Sequence, residues 1–101
     1  MTVDEAVRLL ESNGPADGDW KSWRAAWLEA QLLLEEVSAQ TLDRFAPRLR
    51  KVCVSFPNID AQKAAAVPLV RWALARGELD ELVALHVDPA VRAEAAWELA
   101  P

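Results

Sequence analysis

Between residues 20 and 37 the apolar side chains fall at Trp20, Trp23, Trp27, Ala30, Leu34 and Val37. Every step is three or four residues. At about 100° per residue this spacing gathers all six on one face of an α-helix, whereas a strand would scatter them over both faces. Three of the chain's five tryptophans lie in the first eight residues of this stretch, and Leu28, Leu32 and Leu33 widen the apolar face. Asp17 or Asp19 can cap the helix start. The pattern predicts the longest helix of the fold, with two or more neighbours to cover it. Trp23 and Trp27 are expected in the core. Trp20 lies in the first turn after a loop, where a bundle thins out, and is expected to stay partly exposed as a contact for a partner.

The same period runs through the rest of the chain. Thr2 followed by Glu5 forms a capping box ahead of Val3, Ala6, Val7 and Leu10. Gly14 and Pro15 then stop that first helix. A third helix is expected from Ser38 or Thr41, with Leu42, Phe45, Leu49, Val52 and Phe56 inward. Pro47 should kink it or split it in two. The segment Phe56–Asp60 breaks the chain again, with Asn58 or Asp60 as the next cap. The fourth helix should reach Arg76, stop at Gly77 and kink at Pro68, with Val67, Val70, Leu74 and Trp72 or Ala73 inward. Leu79, Leu82 and Val83 mark a short helix, and Asp88 before Pro89 is a strong restart for a last one reaching about Ala100. Three glycines and no tyrosine in 101 residues argue against a sheet. The expectation is an all-α, compact antiparallel bundle of five to six helices, two of them kinked at Pro47 and Pro68, forming a single domain over 1–101.

Charge is distributed unevenly along the chain. The net charge is −5, which opposes general nucleic-acid binding. Residues 1–38 and 77–101 each carry −5, and residues 39–76 carry +5. If the fold keeps these segments on separate faces, the domain has a positive side and negative sides, and can associate head to tail. If folding interleaves them, the charges neutralise locally. Arg44, Arg48, Arg50 and Lys51 form the densest basic cluster, and Glu78, Asp80 and Glu81 an acidic counterpart.

Little in the sequence points to catalysis. His86, the only histidine, sits where it caps a helix C-terminus. Cys53 lies close to an apolar stripe and reads as a small buried hydrophobe. The single cysteine excludes an internal disulfide and a multi-cysteine zinc site, and fits a reducing cytoplasm. The acid pairs Glu35–Glu36 and Asp80–Glu81 are adjacent in sequence, so their side chains diverge on a helix. No glycine-rich phosphate loop, signal peptide or membrane-length apolar run is present. No cofactor, metal, nucleic acid or membrane is expected.

The stretch "VPLVRWALARGELDELVALHVDP" (Val67 to Pro89) resembles the end of bacterial effector-associated domains, members of the death-like helical superfamily that includes caspase-recruitment domains. The resemblance is carried by Trp72 and Ala73, then Arg76 and Gly77, then Leu79, Leu82 and Val83, about a quarter of the chain. It implies a bundle of about six helices and homotypic recruitment through surface charge, as in the adaptors of bacterial defence systems. "DPAVRAEAAWELA" (Asp88 to Ala100) also resembles the second helix of a HEAT-type repeat, but one such unit does not make a solenoid. The expected function is a non-catalytic, cytoplasmic protein–protein interaction module, forming homo-oligomers or binding an effector protein. Its contacts would be Arg44, Arg48, Arg50 and Lys51 against Glu78, Asp80 and Glu81 of a neighbour, with Trp20 beside them. A small acidic inhibitor, such as an immunity protein, an antitoxin or a phage-encoded blocker, fits the same features.

Overall fold

Helix starts lie where short polar side chains can cap them. The hydroxyl of Thr2 accepts from the Glu5 N–H at 3.1 Å and opens α1 (Val3–Glu11). The Asp19 carboxylate accepts from the Ser22 N–H at 3.1 Å and opens α2 (Trp20–Glu36). That bond holds the Asp19 carboxyl below its ordinary range. Ser38 accepts from the Thr41 N–H at 3.2 Å and opens α3 (Ala39–Leu42). The chain continues through α4 (Ala46–Ser55), α5 (Ile59–Ala75), α6 (Leu79–Leu85) and α7 (Pro89–Leu99). This computed structural model describes residues 1–55, 59–85 and 89–99. The expectations placed on Phe56, Asn58, His86, Asp88 and Ala100 lie outside the described residues.

The protein is all-helical among the described residues, with seven helical segments where the periodicity suggested five or six. The difference arises around Pro47. The chain turns at residues 43–45, where the Phe45 N–H bonds the Leu42 carbonyl at 2.9 Å, and α4 begins one residue before the proline. Pro47 therefore sits in a first turn, where a missing N–H costs nothing because that N–H has no helical partner. The outcome is a break ahead of Pro47, not a kink at it. Pro68 behaves differently: α5 is unbroken through it, and Pro68 is buried. It cannot donate to the Ala64 carbonyl, a mid-helix loss of about 3 kcal/mol that surrounding packing must offset.

That packing is extensive, because α5 touches each of the other six helices. Its buried residues are Ala61, Ala64, Ala65, Ala66, Pro68, Leu69, Val70, Trp72 and Ala73. At about 100° per residue they cover roughly 240° of the circumference. A helix this apolar around its girth belongs in the centre of a fold. Five of the nine are alanines, so neighbouring helices can approach closely. α5, and not α2, is thus the central helix. Leu74, expected inward, points away from this arc and is exposed.

α5 ends at a Schellman turn. The Glu78 N–H bonds the Ala73 carbonyl at 2.8 Å and the Gly77 N–H bonds the Leu74 carbonyl at 3.2 Å. Gly77 has φ +72°, the left-handed conformation this turn requires. The reversal returns the chain so that Leu79 and Leu82 of α6 are buried in the core. Ala6, Val7 and Leu10 of α1, Leu49, Val52 and Cys53 of α4, and Val91 and Ala95 of α7 complete it. The whole measures 41 × 25 × 25 Å.

The alanines of α5 leave no room for growth. Ala65→Leu should overpack the centre and cost about 1–3 kcal/mol, lowering the Tm by roughly 5–20 °C in a thermal melt followed by circular dichroism. The same change at exposed Lys63 should be nearly neutral.

Candidate interaction surface

α2 has two unlike sides. Only Ala30 and Leu34 of its apolar stripe are fully buried, while Trp23 and Trp27 are half-buried. Trp23 is therefore not part of the core, and Trp27 packs against it from its edge. α2's 17 residues span about 25 Å, and the nine residues of α1 beside it span about 13 Å. The tryptophan end overhangs α1 and meets the loop after it. There Trp23 Nε1 donates to Ser12 Oγ at 3.3 Å. Trp20 packs edge-on against Trp23, with ring centroids 5.5 Å apart and planes at 74°. Trp20 also lies over Gly14, where a β-carbon would come within 2.7 Å of Trp20 Cη2. Even so, Trp20 is 60% exposed. Trp27 packs against the core, and its Nε1 is buried with no hydrogen-bond partner.

Two shallow clefts border this end of α2. One, of about 270 Å³, is lined by Trp20, Trp23, Arg24, Trp27, Leu28 and Asp60. The other, of about 380 Å³, lies between Leu9, Pro15, Asp19, Trp23 and their neighbours. Both are open surface features, not chambers inside the bundle. Among the described residues no group of three or more His, Cys, Asp or Glu could hold a metal ion, and no helix is long and apolar enough to cross a membrane.

The opposite side of α2 is exposed and carries Lys21, Arg24, Ala25, Leu28, Glu29, Leu32 and Glu36. Leu28 is 49% and Leu32 61% exposed. Sequence reasoning placed both with the apolar face. A helical wheel separates them, because each lies about 160° from Ala30. Trp97 on α7, 76% exposed, also had no expectation attached to it.

The basic cluster is largely used inside the molecule. Arg48 bonds Asp4 through Nη1 at 2.6 Å and Glu11 through both Nε and Nη2, clamping α4 to both ends of α1. The two carboxylates hold the guanidinium proton more tightly than usual, and the bond from Arg48 is the largest cause of Asp4's lowered pKa. Arg50 lies over the Trp72 ring at 5.4 Å, with its Nε buried and without a partner. Arg76 covers the same ring at 5.8 Å. Asp43 accepts from Trp72 Nε1 at 2.7 Å and from Arg76 at 2.8 Å, tying the end of α3 to α5. Arg48 and Arg50, expected to face a partner, are thus engaged within the molecule and half-buried. Arg44 and Lys51 are exposed. Asp80 and Glu81 are exposed and Glu78 is half-buried, with Glu78 4.0 Å from Arg76.

Arg71 makes a further tie. It donates to Glu98 at 3.0 Å and to the Glu35 carbonyl at 2.9 Å, joining α5 to α7 and to the end of α2. Burial, then a hydrogen bond with Glu98, raises the Glu94 pKa. The basic middle of the chain is thus paired with both acidic ends through Arg48, Arg71 and Arg76, and does not form one continuous positive face.

Searches against protein-family profiles, curated proteins and solved structures give no match.

Two outcomes follow from this geometry. Trp27→Ala should cost about 2–4 kcal/mol and Trp20→Ala less than about 1 kcal/mol in denaturant melts, because only Trp27 packs on the core; equal losses would contradict the assignment. Arg48→Met should lower the Tm at pH 7 by about 2–6 °C. Asp4's folded pKa lies below its ordinary 3.8. Its contribution is thus present above pH 3.8 and lost as pH falls through the folded value. The gap between Arg48→Met and the unsubstituted protein should narrow in melts below that pH.

Proposed function

We propose that this chain is a non-catalytic protein–protein recruitment module of the death-like kind, working in the cytoplasm through the solvent side of α2. The observation that carries the reading is the exposure of Trp20, Leu28 and Leu32 on a single 17-residue helix. Tryptophan and arginine dominate binding energy at protein interfaces, and here Trp20 and Arg24 flank the leucines on a rigid support. Contiguous exposed apolar residues rimmed by charge mark interaction sites more often than free surface. The internal use of Arg48 and Arg50 favours α2 over the α4 cluster as the contact surface. Arg44, Lys51, Asp80 and Glu81 remain available as peripheral charges. The resemblance of residues 67–89 to effector-associated domains supports the same class of function.

The test compares the unsubstituted protein with Leu28→Asp/Leu32→Asp and with Arg44→Glu/Lys51→Glu. Each is tagged and used to capture proteins from its own host, and each capture is then rebuilt from purified components. Loss of a reconstituted complex only in the leucine variant supports the α2 face. Loss only in the basic variant would return the contact to α4. If neither substitution weakens any association, including association with itself, the reading is wrong. The identity of a captured protein separates an adaptor, which holds a helical relative or effector, from an inhibitor, which holds a toxin.

A further inference from the structure

We infer that the solvent side of α2 docks antiparallel onto the same face of a second copy of this chain; the inference rests on the interaction reading above and names its partner. The argument begins with charge polarity. A helix favours acids in its first turn and bases in its last, because its dipole is positive at the N-terminus and negative at the C-terminus. α2 has neither. Its exposed bases, Lys21 and Arg24, come early, and the exposed acid Glu36 is its final residue.

Asp19 caps the start of α2 and Arg71 donates to the Glu35 carbonyl near its end, but neither pairs with the charges on the exposed face. Among the described residues Lys21, Arg24, Glu29 and Glu36 take part in no ion pair. No two opposite charges on this face lie three or four residues apart, and Lys21 and Arg24 are like charges at a spacing of three. Between the basic and acidic ends lie Ala25, Leu28 and Leu32, all exposed, with the exposed Glu29 at their edge. The two ends of the face are thus basic and acidic, with an apolar middle edged by Glu29, and that polarity runs against the helix dipole.

A two-fold axis beside Leu28 pairs the two charged ends. Two antiparallel copies of α2 then set Lys21 of one copy against Glu36 of the other, twice. Ala25 faces Leu32, the Leu28 side chains meet near the axis, and the two Glu29 side chains lie at the solvent edge beside it, a like-charge contact that limits the strength of the pair. Each helix end receives from its neighbour the charge that its own dipole favours. This is an isologous contact, in which one surface complements itself and the assembly closes at two copies. One helix pair is a small interface, so the dimer is expected to be weak.

Sedimentation equilibrium over a range of concentrations tests the proposal. The unsubstituted protein should show a monomer–dimer equilibrium, and Leu28→Asp should raise the dissociation constant at least about tenfold. K21E and E36K should each weaken self-association by roughly three- to tenfold. Each also brings α2 into line with its dipole, so the monomer should melt no lower than before. The two single variants mixed together, and the K21E/E36K double variant alone, should both recover dimerisation. A protein that remains monomeric up to about 1 mM overturns the proposal, as do single variants that dimerise normally or a mixture that fails to recover. A monomer that still loses a reconstituted partner on Leu28→Asp/Leu32→Asp overturns self-docking alone and leaves the recruitment reading standing. No association of either kind removes both.

Discussion

The fold depends on the contact between α5 and everything around it. A central helix with six neighbours must present small side chains, or the surrounding axes cannot close in. Alanines at 61, 64, 65, 66 and 73 meet that requirement, at the expense of apolar bulk. The larger side chains that fill the remaining volume come from the shell: Leu10, Leu34, Leu42, Leu49 and Leu82. Pro68 is tolerated for the same reason, since a helix gripped on most of its girth does not need every hydrogen bond of its own.

Polar ties then set the register of the shell. Arg48 fixes α4 on α1, Arg71 draws α7 and the end of α2 to α5, and Asp43 receives both Trp72 and Arg76. Each pair joins residues far apart in sequence. The long-range ties use bases from the middle of the chain, so charge segregation along the sequence becomes cross-linking in space. α2's outer face keeps charges of both signs without ion pairs, and there they run against the helix's own field.

Much of this was legible from local chemistry. Thr2, Asp19, Ser38 and Gly77 mark element ends because capping and left-handed turns are decided within a few residues. All-helical architecture follows from periodicity. The identity of the central helix was less accessible: three tryptophans signal burial more loudly than five alanines, yet small side chains are what an enclosed helix needs. The sequence places Trp23 too deep because its neighbour, the loop after α1 at Ser12, is set by tertiary packing. Arg48 and Arg50 were read as outward because their partners, Asp4, Glu11 and Trp72, lie more than 20 residues away in sequence. Leu28 and Leu32 could have been placed from their angle to Ala30 alone.

The loop ahead of α2 links two positions through a single steric fact. Gly14 has φ +144° and carries the Trp20 indole where a β-carbon would stand. A side chain at 14 is therefore barred by backbone and neighbour together, and relief of the clash at position 20 would leave the backbone strain in place. Among descendants of this sequence, position 20 can drift while glycine persists at 14, but the reverse order is closed. The history of this corner should run in one direction.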